Sequence, residues 1–324
     1  MKHNKSFIIA EIGVNHNGDS TVAKKMIDQA VWAGADAVKF QTFNVKENYH
    51  QATTSKSKLK WAKSLSLSEQ EFIDLKEHAD KNDIMFLSTP FDNNSALFLN
   101  DLGIQKFKVS SSGIVEIPLL KQIAEFGKPV LLSTGMAVEN DIKRAIQVLE
   151  PCKVTLLYCV SLYPAPYHTI DLNKINTLRR IFDLDVGYSD HSLGIEISLA
   201  AIACNATVIE KHLKLDGYNC PDEEVSLPPN DFKRMIDSIR NVEKSLGSGS
   251  IVISNEEKKS RLKLRKGIYY SNDKLKNEII LEDDLVLRKP AGDIGIEKYL
   301  TIIGKKLLLN VKAGSEVRLK DIGE

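Results

Sequence analysis

From Phe7 to about residue 245 a short apolar segment alternates with a helix-patterned segment eight times. The strand candidates are FIIAEIG (7–13), DAVKFQTF (36–43), IMFLSTPF (84–91), QKFKVSS (105–111), PVLLSTG (129–135), KVTLLYCV (153–160), DVGYSDHS (185–192) and ATVIEKHLKL (206–215). Helical spacing of apolar residues fills the gaps, over 21–33, 68–82, 95–102, 116–126, 138–149, 172–182, 194–204 and 231–246. Ser68 and Glu71 give the S-x-x-E signature of a helix start. Regular alternation of this kind predicts an α/β fold, a closed parallel (β/α)₈ TIM barrel of the usual ~250-residue size. The open doubly wound sheet is disfavoured, because no G-x-G-x-x-G turn follows the first strand and no P-loop is present.

The pattern changes after Gly249. Lys258, Lys259, Arg261, Lys263, Arg265 and Lys266 make a basic stretch, read as a solvated linker over 250–266. Short β-like runs follow in 267–324 (GIYYS, IILEDD, TIIGKKLLLNV, EVRL), separated by Gly and Pro. A small β-rich domain is expected there, after a barrel domain over 1–249. Its core is too small to stand alone comfortably, so it is expected to pack on the barrel or on a partner subunit.

Lys plus Arg number 44 against 43 Asp plus Glu, a net +1. That balance offers no basic field for a nucleic acid. Four cysteines with no C-x-x-C pair exclude a zinc ribbon and a dense disulfide framework. The apolar run Phe7–Ala10 ends at Glu11, too short for a leader, and no segment approaches a membrane span. The expectation is a soluble, cytoplasmic protein.

Barrel strands are buried on both faces and should be continuously apolar. Here they turn polar toward their C-terminal ends: Glu11, Lys39 and Gln41, Thr89, Lys108 and Ser111, Ser133 and Thr134, Ser161, Ser189 and His191, Glu210 and His212. Active sites of this fold lie at that end. Buried charges need partners, a ligand or a metal. The period of two puts Lys39 with Gln41, Ser189 with His191, and Glu210 with His212 on common faces. Two lysines among hydroxyls suit a small anion carrying phosphate and carboxylate. His191 and His212 read either as acid–base groups or, with oxygen ligands, as a seat for Mn²⁺ or a similar divalent ion.

The strings A-E-I-G-V-N-H-N-G-D (10–19), G-A-D-A-V-K-F-Q-T-F (34–43), F-L-S-T-P-F (86–91), L-S-T-G-M (132–136), Y-P-A-P-Y (163–167), G-Y-S-D-H-S (187–192) and I-E-K-H (209–212) together resemble the sialic acid synthase family. The tail, with L-V-L-R-K-P (285–290) and I-G-K-K (303–306), resembles that family's antifreeze-like (SAF) domain. The resemblance implies condensation of phosphoenolpyruvate with an N-acetylated hexosamine such as N-acetylmannosamine or a 2,4-diacetamido hexose, with C–O cleavage and phosphate release. It implies a divalent cofactor, Mn²⁺ first and Mg²⁺ or Co²⁺ as alternatives, held by His191 and His212. It assigns Lys39, Thr89, Lys108, Ser111, Ser133 and Ser189 to phosphoenolpyruvate, and Glu11, Gln41, Tyr163 and Asp222 to the sugar side. Ser161 is added as a further substrate contact from its place at the end of the sixth strand. A homodimer is implied, each tail domain capping the partner's barrel mouth and bringing Lys289 to the sugar, and the product would serve a surface polysaccharide.

Four departures qualify the resemblance. Ser111-Ser112-Gly113 replaces the usual S-G-E and removes a carboxylate, for which Glu116 is a candidate substitute. Tyr158-Cys159-Val160 stands for H-C-T, and Asp222-Glu223-Glu224 makes acidic a loop that is usually basic. Lys289 takes the place of an arginine, without the planar fork of a guanidinium. Alternatives are a catalytically altered paralogue that binds a sugar or takes another acceptor, and a Schiff-base aldolase using Lys39, Lys108 or Lys211. Cys220, in the same loop, is a candidate reactive thiol.

Overall fold

A computed structural model describes residues 5–323, in two compact units divided at Ser248/Gly249. In the first unit eight strands run parallel: β1 (Phe7–Gly13), β2 (Ala37–Thr42), β3 (Met85–Pro90), β4 (Phe107–Val109), β5 (Val130–Ser133), β6 (Val154–Cys159), β7 (Val186–Asp190) and β8 (Val208–His212). Their hydrogen-bonded order is β3-β2-β1-β8-β7-β6-β5-β4. The end strands β3 and β4 lie side by side without a ladder and close the barrel. Ten helices of this unit are α1 (Ser20–Ala33), α2 (Val45–Asn48), α3 (Lys56–Leu65), α4 (Glu69–Lys81), α5 (Asn93–Asp101), α6 (Ile117–Glu125), α7 (Glu139–Val148), α8 (Asn173–Phe182), α9 (Glu196–Ala203) and α10 (Pro229–Ser245). The capping box forms as the sequence predicts: Ser68 Oγ accepts from Glu71 N–H, and Ser68 N–H donates to Glu71 Oε2.

Alternation along the strands builds two different cores. Outward residues such as Ile8, Ala10, Phe40, Phe86, Leu132, Leu156, Tyr188 and Ile209 pack under the helices. Inward, Ile9, Ala37, Leu87, Leu131, Leu157 and Val208 form a separate apolar floor. Two residues further along the same faces stand Glu11, Lys39, Thr89, Ser133, Cys159 and Glu210, all buried. At ~3.3 Å per residue this polar layer lies about one side-chain layer above the floor. Gly187 belongs to the floor by necessity: a Cβ there would come within 2.6 Å of Val208 and 2.7 Å of Leu157.

Two short helices, α2 and α3, occupy residues 45–65, where the sequence reading names no element. In the second unit, the stretch expected to be a linker contains a helix, α11 (Asn255–Leu264), with no buried residue. Strands β9 (Gly267–Tyr270) and β10 (Leu285–Arg288) pair antiparallel, and isolated bridges such as Lys274–Val311 and Leu307–Ile322 tie in the rest. Ile268, Tyr270, Ile280, Leu285, Ile294, Ile302, Leu307, Val311 and Val317 form its core. The run TIIGKKLLLNV, expected as β, begins instead within the helical turn α12 (Tyr299–Ile302). Among the described residues no helix is long and apolar enough to cross a membrane.

Candidate active site at the C-terminal mouth of the barrel

The polar layer opens into a cavity of about 340 Å³. Glu11, Lys39, Gln41, Thr89, Lys108, Ser111, Ser133, Ser161, Tyr163, Ser189, His191 and His212 all line it. Asp222 lines an adjoining hollow with Tyr163. Lys289 belongs to the second unit, directly after β10.

Glu210 organises the floor of this cavity. Its carboxylate lies 3.8 Å from Lys39 Nζ and 3.6 Å from Lys108 Nζ, and it accepts from Ser189 Oγ at 2.8 Å. Burial works to raise its pKa, but Lys108 and Lys39 outweigh it and keep Glu210 ionised below its ordinary range. Lys39 also pairs with Glu11 and donates to Thr89 Oγ1 at 3.1 Å. Lys108 donates to Ser133 Oγ at 2.7 Å. Burial lowers the pKa of Lys108, whereas Glu11 and Glu210 outweigh burial at Lys39 and raise it. Burial, reinforced by Glu210, pushes Glu11 up to about 7 against the pull of Lys39. Oε1 of Glu11 is buried without a hydrogen-bond partner among the described residues.

A second cradle lies at Gly135, just beyond β5. Its N–H donates to Ser111 Oγ at 3.1 Å, and Ser111 Oγ lies 3.0 Å from Cys159 Sγ. A Cβ on Gly135 would meet Ser161 Oγ at 2.4 Å, Ser111 Oγ at 2.6 Å and Cys159 Sγ at 2.8 Å. The missing side chain is what lets three polar groups converge.

His191 and His212 stand side by side, ring centroids 5.6 Å apart. His191 Nδ1 donates to Val160 O at 2.8 Å, which leaves Nε2 as the lone-pair nitrogen, here 3.0 Å from Tyr163 Oη. The Tyr163 ring stacks on His191 at 4.1 Å. His212 Nδ1 is buried without a hydrogen-bond partner among the described residues, with Asp222 Oδ2 3.5 Å away, too far for a good bond. Burial lowers the pKa of both rings, and His191 adds to the effect at His212. Two neutral imidazoles, one oriented by a backbone carbonyl and one with an orphaned nitrogen, fit a divalent cation. Among the described residues no third His, Cys, Asp or Glu completes a protein-only seat. Water or substrate oxygens would complete the shell.

Some residues carry more than their sequence reading assigned. Glu210 stood on the His212 face but received no role. Asn15, inside the N-H-N-G string, pins the 215–226 loop: its amide donates to Leu213 O and Ser226 Oγ, and its Oδ1 accepts from Asp222 N–H. Other candidates lose ground. Glu116 does not line the cavity, so it does not replace the missing carboxylate of S-G-E. Burial and Glu223 push the Cys220 thiol up to about 11, which keeps it protonated and unreactive. Lys211 points away from the cavity into a buried pair with Asp190, and both cavity lysines are tied into ion pairs, Lys39 with Glu11 and Lys108 with Glu210. That pairing works against a role for any of them as a Schiff-base nucleophile.

The NeuB family model matches residues 26–251. The chain is 41% identical to N,N'-diacetyllegionaminic acid synthase of Campylobacter jejuni, over 97% of this chain and 99% of that protein. It is 33% identical to human N-acetylneuraminate-9-phosphate synthase, over 94% and 89% respectively. Among solved structures, N-acetylneuraminic acid synthetase from Leptospira borgpetersenii, in complex with citrate, superposes with a TM-score of 0.75 at 36% identity, covering 80% of this chain and 90% of that one.

Proposed function

Because the chain belongs to the NeuB family, we propose that it is a nonulosonic acid synthase, joining phosphoenolpyruvate to an N-acetylated hexosamine. The carrying observation is the Lys39–Glu210–Lys108 arrangement beneath two neutral histidines. One glutamate holds two ammonium groups in place, and Glu210 with an ionised Glu11 balances their charges. Both ammonium groups keep N–H donors for a small anion headed by phosphate and carboxylate. Thr89 and Ser133, which accept from the lysines, and Ser111 have hydroxyls that can give it directional hydrogen bonds, while Ser189 holds Glu210 and the Gly135 N–H holds Ser111 in place.

On the sugar side, Glu11 Oε1, Gln41 Nε2 and Asp222 Oδ2 converge within 3.6 Å of the position a Cβ would take on Gly13. His191 and His212 would hold a divalent cation, Mn²⁺ first and Mg²⁺ or Co²⁺ as alternatives, which supplies Lewis-acid polarisation of the acceptor's carbonyl oxygen. Lys39 and Lys108 hold the ester with its C3 toward that carbonyl and stabilise the departing phosphate. Glu11, unpartnered at Oε1, faces the carbon that becomes electron-poor and takes the proton of the water that adds there. The C2–O bond breaks, phosphate leaves with the bridging oxygen, and water provides the new carbonyl oxygen.

We place Tyr163, Ser161 and Asp222 against the sugar, and read the acceptor as a 2,4-diacetamido hexose ahead of N-acetylmannosamine, in line with the similarity to the N,N'-diacetyllegionaminic acid synthase of Campylobacter jejuni. The assembly we propose is a cytoplasmic homodimer, the second unit acting as an antifreeze-like (SAF) domain that caps the partner's mouth and brings Lys289 to the sugar.

Incubation with phosphoenolpyruvate labelled with ¹⁸O at the bridging position, Mn²⁺ and a panel of acetamido sugars tests the reading. Labelled phosphate and a nine-carbon keto acid are expected, and both should vanish with a chelator. Unlabelled phosphate, turnover without a divalent ion, or no product with any acceptor would each overturn it.

A further inference from the structure

His191 and His212 each have a charged neighbour in sequence that faces the other way. Asp190 and Lys211 lie opposite one another in the β7–β8 register. Alternation turns both away from the cavity while their neighbours point into it. Their side chains are fully buried, with Lys211 Nζ 3.1 Å from Asp190 Oδ2.

The pair does more than neutralise itself. Lys211 Nζ also donates to Ser192 O, the carbonyl one residue beyond His191. Asp190 Oδ1 accepts from Ser192 N–H at 2.8 Å and from Ser192 Oγ at 2.6 Å. Its Oδ2 accepts from Ser198 Oγ, on α9, at 2.6 Å. Residues 190 and 192 are therefore clamped on either side of His191, and the clamp is anchored on the residue before His212. Buried charges of this kind usually contribute little net stability against apolar replacements. What they do supply here is a fixed turn and a fixed spacing between two strands.

We infer that Asp190 and Lys211 are positioning residues for the His191–His212 pair, setting the separation and orientation of two imidazoles for one divalent cation. The inference rests on the proposed reading of those histidines as a cation seat. It assigns this outward-facing pair a part in cation affinity and little in phosphoenolpyruvate affinity, since Lys39, Lys108, Thr89 and Ser133 are held by contacts of their own and Ser189 and Glu210, beside the pair on the same strands, hold one another.

The full chain, stripped of metal, is titrated with Mn²⁺ while free ion is followed by electron paramagnetic resonance. Phosphoenolpyruvate binding is measured separately by calorimetry without sugar. Asp190→Asn and Lys211→Met should each weaken Mn²⁺ by about 10–100-fold, the range for residues that orient metal-binding histidines, and leave phosphoenolpyruvate affinity nearly unchanged. The double variant D190N/K211M removes both charges, so it carries the test if a single variant misfolds, and its loss should be no greater than that of either single change. Unchanged Mn²⁺ affinity in the folded variants overturns the inference, as does an equal loss for both ligands, which marks a merely structural role. If the parent protein takes up no Mn²⁺, the cation seat itself is refuted and the positioning role with it. Parent turnover with phosphoenolpyruvate, assayed in parallel, reports on the synthase reading independently.

Discussion

The Tyr163 hydroxyl lies 3.0 Å from Nε2 of His191, the one nitrogen of that ring not already committed to the backbone. A cation taking that nitrogen has to displace the hydroxyl. Tyr163→Phe keeps the stacked ring and removes the competitor. A neutral hydrogen bond contributes about 0.5–1.5 kcal/mol net, so Mn²⁺ affinity of the metal-free protein should tighten by up to about tenfold. The KM for the sugar should rise in the same variant. Manganese titration and steady-state kinetics read the two effects separately.

Glu210→Gln keeps the shape and removes the charge that both lysines face. The ammonium groups then repel one another and drift. Small misplacements at a reacting centre cost about 10²-fold, and kcat/KM for phosphoenolpyruvate should fall by that order. The KM for the sugar should change little. A uniform loss of both would argue against the division of labour proposed for the cavity.

Gly135→Ala adds one methyl group where Ser111, Ser161 and Cys159 converge. The φ of Gly135 lies outside the left-handed region, so alanine suits the backbone. The strain falls on the side chains, at about 1–3 kcal/mol for overpacking. Phosphoenolpyruvate binding should weaken while the thermal midpoint moves by only a few degrees. Calorimetric titration and a melting curve check both.

In the second unit, Lys274 and the Leu281 N–H hold Asp284 below the ordinary carboxylate range, outweighing the upward push of burial. A depressed folded pKa adds stability above the unfolded value of ~3.9, and that stability is lost as pH falls through the folded value. Asp284→Asn should therefore destabilise the chain at pH 6 by about 1.5–3 kcal/mol, the scale of charge-assisted bonds. The gap to the parent should begin to narrow below about pH 4 and close only as pH falls through the lower folded-state value, where the parent's own carboxylate becomes protonated. Melting curves across that range would show a constant gap if the pairing is immaterial.

The barrel was legible from the eightfold alternation of strand and helix segments, and its inner polar layer from the period of two within each strand. Lys39 with Gln41 and Ser189 with His191 had to share a face once the strands were placed. Helix α11 was not legible, since none of its residues is buried and it has no apolar stripe to mark it. Helices α2 and α3 interrupt the repeat between β2 and α4, and α3 buries only Ala62 and Leu65, too few for a clear face. The role of Glu210 was hidden for another reason. Strand parity says which way a side chain points, but the lysines that meet it come from β2 and β4, on opposite sides of β8 in the strand order. Tyr163 on His191 likewise depends on the path of a loop, which no periodicity records.

Strand β8 alternates Glu210 inward, Lys211 outward and His212 inward, all within three residues. Insertion or deletion of a single residue just upstream, with the barrel kept closed, would exchange the two sets wholesale. An ammonium group would enter the mouth, and a carboxylate and an imidazole would be driven under the helices. Sequence length in this strand is therefore as strict a requirement as residue identity.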